Sequence, residues 1–186
     1  EGTLLANNAT IMSSEQSVGL GGHNAGVWDA ITVVSTADAI LDNVTISNAK
    51  SCLIIDGALT ATNLNLEHCL IGIEVAGTAD IDGLTASHID HDGVRITGTA
   101  GLSEISMTNM SAGISSSGAL TLSSASFDSI GTAVSLGGGS ADVDDLTFTS
   151  GISTGVSIAS GVTGDVSGMS GNVGTAIAAI DATGFT

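Results

Sequence analysis

The chain has 186 residues, with 19 acidic side chains against two basic ones and a formal net charge of −17. Such a surface repels phosphates, which excludes nucleic-acid binding through a basic footprint and disfavours anionic membranes. Aromatics make up 2%, proline is absent and glycine numbers 26, so the core must be aliphatic and every strand residue can donate its N–H.

The first segment alternates: Leu4 and Ala6, then Ala9 and Ile11, with polar residues between. Alternation puts one side chain in and the next out, as in a strand with one buried face. A third pair, Ile31 and Val33, follows an insertion at 14–28 that leaves the regular pattern. That insertion holds Gly21, Gly22, His23 and Asn24 and ends at Trp28, the one tryptophan. Trp28 combines a large contact area with a polar N–H, so with His23 it reads either as a ligand anchor or as a plug on an open end.

From about Ala39 the apolar pattern recurs every 20 to 22 residues. Val44 stands under Leu64, Leu84, Ile105, Ala125, Leu146 and Val166. Two residues on, Ile46 leads Leu66, Ala86, Met107, Phe127, Phe148 and Gly168. A third column runs from Leu53 through Ile73, Val94, Ile114, Val134 and Val156 to Ile177, and an upstream one runs from Ala39 through Leu59, Ala79, Ala100 and Leu120 to Ala141. Fixed-period self-similarity marks a repeat architecture. Three short strands per repeat leave only tight corners, which hold Gly, Asn, Asp and Ser. One coil cannot bury its own interior; a stack at about 4.8 Å spacing can, and eight coils give a rod about 35 Å long. Helical solenoids need a 3.6-residue rhythm that is absent here.

The segments His91-Asp92-Gly93-Val94-Arg95-Ile96 and Ser111-Ala112-Gly113-Ile114 place a Gly before an inward aliphatic. In this the chain resembles the right-handed parallel β-helix proteins of the pectin-lyase-like superfamily. The resemblance implies an all-β fold: a single domain over 1–186 of about eight coils of 20–22 residues, three short strands each. It implies polysaccharide lyases and hydrolases, but equally adhesins and structural parts. Uronate-cleaving members need Arg or Lys to neutralise a carboxylate, and only Arg95 and Lys50 exist. The outward pairs Asp80 and Asp82, and Asp142 and Asp144, lack aromatic platforms for a sugar.

Several columns carry candidate chemistry. His68 and His88 stand in one corner column near Asp90 and His91, a set suited to Zn²⁺, or simply a polar ladder continuing Asn48 and Asn109 to Ser150. Asp144, Asp145 and Asp165 in adjoining coils either offer oxygen ligands to Ca²⁺ or form a solubilising acidic edge, so the cofactor expectation is none, with Ca²⁺ as the alternative. Cys52 and Cys69 fall in adjacent coils, either bridged, which suits an oxidising compartment, or as two core thiols. Sequons begin at Asn8, Asn43 and Asn109. A row of outward hydroxyls from Thr10 and Thr45 onward resembles ice-binding surfaces, although Glu67 and Asp128 interrupt the row beside it.

No 18-residue apolar run or leader-like segment occurs, and no membrane insertion is expected. Glu1 starts almost directly in the first coil, as in a processed chain or an excised segment. The stretch Gly174 to Ile180 is small, apolar and uncharged, with nothing to block a stack. The expected function is therefore a non-catalytic extracellular or cell-surface structural module. It would self-associate through its ends into a filament or form part of an adhesin. The alternative is a polysaccharide-binding or polysaccharide-cleaving protein with glycans as partners.

Overall fold

A computed structural model describes residues 2–12 and 25–179. The chain is all-β, a parallel β-solenoid of about seven turns, with no helix among the described residues. Strands β1 (Gly2–Ile11) and β2 (Ile31–Val33) form the first tier, β3 (Ala37–Ser47) and β4 (Ser51–Ile55) the second, and β5 (Ala58–Glu67) and β6 (Ile71–Val75) the third. β7 (Thr78–Ile96), β8 (Thr99–Ser116), β9 (Ala119–Leu136) and β10 (Ser140–Ile158) each run through a whole turn, and β11 (Thr163–Val166) and β12 (Met169–Ala179) form the last tier. The upstream column is one ladder: Leu4, Ala39, Leu59, Ala79, Ala100, Leu120, Ala141 and Gly164 face one another in turn.

Where three short strands per coil are expected, four tiers are single long strands. The reason lies in two corners that each consist of one left-handed residue, so pairing resumes directly beyond them. The first corner stacks Asn8, Asn43, Asn63, Gly83, Glu104, Ser124, Asp145 and Gly168, all at positive φ. The second stacks Asn48, His68, His88, Asn109, Ser129 and Gly151, likewise at positive φ. Asn tolerates this conformation better than most residues, which explains its recurrence at these two positions. Gly151, not Ser150, completes the second column.

The interior is a stack of aliphatic columns, buried from the second tier to the seventh. A third corner is set by close approach: a Cβ on Gly98 would lie 2.1 Å from the Gly77 carbonyl oxygen, and one on Gly118 2.0 Å from that of Gly98. Gly98→Ala is thus expected to force the tiers apart and lower unfolding free energy by about 1–3 kcal/mol, read by denaturant titration.

The register departs from expectation at the last tier. Leu146 faces Met169, not Val166, and Phe148 faces Gly171, not Gly168. Val166 lies opposite Val143 instead. The corner after Ile158 takes extra residues, with Gly161 at positive φ and Val162 fully buried, so Ser167 lies 23 residues beyond its neighbour Asp144. A shift in register between Phe148 and Ile152 then restores the pairing of Val156 with Ile177.

Candidate functional site

The acidic residues are dispersed by pairing with hydroxyls across tiers. Thr62 donates to Asp42 at 2.6 Å, Ser103 to Asp82 at 2.7 Å and Ser167 to Asp144 at 2.7 Å. Ser115 donates to Asp92, Ser124 to Asp145 and Ser51 to Glu74. Carboxylates one strand apart would repel, whereas a hydroxyl in the intervening tier donates a charge-assisted hydrogen bond. Among the described register pairs only Asp142 and Asp165 set acid against acid. The signal was legible in the sequence as Ser or Thr one repeat from an acid, but only against the correct register.

Asp128 accepts from Ser150 at 2.6 Å and from Thr149 at 2.9 Å. These hydrogen bonds, Ser150's first, hold its carboxyl below the ordinary aspartate value of 3.8. A depressed folded-state pKa contributes stability that is present above the unfolded value and is lost as pH falls through the folded one. The melting-temperature difference between the native chain and Asp128→Asn is accordingly expected to shrink as pH falls below about 3.8. A difference that stays constant down to pH 2 would contradict this.

Both cations are engaged. Lys50 donates to Asp29 at 2.9 Å, which raises its pKa, and both side chains lie in solvent. The Arg95 guanidinium lies 2.5 Å from Asp92 and 3.6 Å from Glu74. It borders a shallow groove of about 360 Å³ whose other lining residues include Asp92, Ser115 and Ser135. An arginine already held by two carboxylates has its charge largely spent before a substrate carboxylate could reach it.

His68 and His88 stack at 4.9 Å between ring centroids, with an interplanar angle of 22°. They sit on the second corner column, and Asp90 and His91 are exposed on the strand beyond. Register also separates the calcium candidates. Asp165 faces Asp142, Asp144 accepts from Ser167 and Asp145 accepts from Ser124. Asp165 Oδ1 is buried with no hydrogen-bond partner. Among the described residues, no group of three or more His, Cys, Asp or Glu side chains is arranged to hold a metal ion.

Cys52 and Cys69 are joined by a disulfide that ties the second tier to the third, with both residues fully buried. Asn8, Asn43 and Asn109 sit at exposed left-handed corners, and Asn43 donates to Asn8 across the tiers. His23 and the insertion up to residue 24 lie outside the described residues. Among the described residues that follow, the Trp28 indole donates to the Ser47 carbonyl at 2.9 Å. Trp28 pairs with Ala49 and so occupies the first rung of the inward column that continues to Cys69, half-buried against the core.

The two end tiers break the burial pattern. The outermost rung of the first column, Leu4, is 41% exposed where Ala39 beneath it is 1%. At the other end Ile177 is 43% exposed above a fully buried Val156. β1 pairs only with β3, and β11 and β12 only with β10, so each end presents one edge of unpaired backbone among the described residues. Comparison with family models, curated proteins and solved structures finds no match.

Proposed function

We propose that this chain is a non-catalytic structural module of an extracellular or cell-surface assembly. It is a β-helix of the pectin-lyase-like kind that supplies length rather than chemistry, either stacked end to end into a filament or set as one segment of a larger surface protein. The observation that carries this reading is the pair of ends: among the described residues Leu4 and Ile177 are exposed on the outermost rungs of columns that are buried in the tiers beneath them. Unpaired strand edges over exposed core recruit further strands. The sides support it too, since cations and most ridge acids are already engaged within the stack. The disulfide suits an oxidising compartment. Light scattering from micromolar to millimolar protein is expected to show mass rising with concentration, with rods in negative-stain images. A monomer of constant mass over that range would defeat the filament form of the proposal.

A further inference from the structure

The two ends are complementary in side-chain size, rung by rung, once the observed register is continued past the last tier. The columns are fixed by pairing: Gly164 ends the column that begins at Leu4, and Val166 the one that begins at Ala6. Met169 likewise ends the column of Ala9, Gly171 that of Ile11, and Ile177 that of Ile31. If the last tier of one copy stacks on the first tier of the next, Gly164 meets Leu4, Val166 meets Ala6, Met169 meets Ala9 and Gly171 meets Ile11. In each of these four rungs a large residue faces a small one. Alternating large and small side chains across facing layers is how a core reaches native density without clash. Ile177 meets Ile31, an aliphatic pair like those elsewhere in its column.

The outward rows agree. Thr163 meets Thr3, Asp165 meets Leu5, Ser167 meets Asn7 and Ser170 meets Thr10, so no carboxylate stands opposite another. The ends also match in direction, because every tier of the stack is parallel. Continuing the ladder is a heterologous head-to-tail contact, which propagates into a fibre and cannot close as a two-fold dimer.

We propose that the occupant of each end is a second copy of this chain. The last tier (β11 and β12) of one copy would add in parallel to β1 and β2 of the next, with Gly164 under Leu4 and Met169 under Ala9. This rests on the filament reading above and specifies its joint. The joint buries aliphatic rungs between bodies that each carry −17. Screening weakens their repulsion as the Debye length contracts from about 30 Å at 0.01 M salt to about 3 Å at 1 M. Association should therefore strengthen with salt.

The test uses the whole 186-residue chain with two substitutions, Thr3→Cys and Thr163→Cys, whose Cα atoms would be one strand spacing apart across the joint and within disulfide reach. The native cysteines are bonded to each other and stay out of the reaction. Oxidation is expected to give a cross-linked ladder on a non-reducing gel, denser at high salt. Either single-cysteine variant is expected to stay unlinked, because the head-to-tail joint places no second cysteine opposite the first, and efficient dimers from the single variants would overturn the joint. The out-of-register pair Thr3→Cys with Ser170→Cys is expected to give no ladder, and adding Leu4→Glu to the in-register pair is expected to abolish it. Salt-enhanced self-association without a ladder from the in-register pair overturns this joint and leaves the filament reading standing. A monomer at every concentration and salt overturns both.

Discussion

Phe127→Ala is expected to lower unfolding free energy by about 3–5 kcal/mol, the largest loss from any single truncation in this core. Phe127 is fully buried and is the largest such side chain; its ring stacks on Phe148 in the next tier at 6.1 Å. Gly113 leaves room for it: a Cβ there would lie 2.8 Å from the Phe127 ring. The cavity could not collapse, because the β9 backbone is pinned by ladders to β8 and β10 on both sides. In a stack where each tier touches only its neighbours, the lost contact also weakens coupling between the two halves. Denaturant unfolding should therefore show a lower midpoint and a shallower slope, with Phe127→Leu recovering part of both. A loss below about 1 kcal/mol would mean that the tiers relax inward after all.

Replacing both cysteines by alanine is expected to cost about 3 kcal/mol, since the disulfide closes a loop with a sequence separation of 17. The bond ties the second tier to the third, close in sequence to Ala49, whose pairing with Trp28 is an isolated bridge. Both sulfurs are buried, so exchange with an added thiol needs local opening of these tiers. Reduction should be slow in native buffer and fast near the melting transition. Comparing melts of the native chain, the reduced chain and Cys52→Ala/Cys69→Ala checks this; identical melting temperatures would remove the bond from the list of stabilising contacts.

The repeat made most of the fold legible. Val44, Leu64, Leu84, Ile105, Ala125 and Leu146 stand in one column in the structure as in the sequence, because a side-chain period of two fixes which residues face inward. The first coil was equally readable: Leu4, Ala6, Ala9 and Ile11 lie where their alternation put them. The last tier was not. A longer corner at 159–162 leaves the apolar alternation intact and merely delays it, so Val166 looks as good a partner for Leu146 as Met169 does. Backbone pairing alone separates the two choices.

The candidate sites depended on that same register. Asp144, Asp145 and Asp165 look contiguous at a fixed period, but the delayed tier sets Asp165 against Asp142 and gives Asp144 a serine. His68 and His88 were paired correctly because the tiers around them keep an even step, and their rings do stack.

By itself, the amino-acid sequence determined the solenoid, its aliphatic core and its polar corners, since these follow from periodicity and from which residues accept a left-handed turn. The tertiary structure decided how the carboxylates of a −17 chain coexist within one stack of strands (about 4.8 Å apart). It also decided that the disulfide closes and that large rungs at one end face small rungs at the other. Each of these depends on neighbours in space whose sequence separation varies from tier to tier, and hydrogen-bonded register is the physical quantity that fixes it.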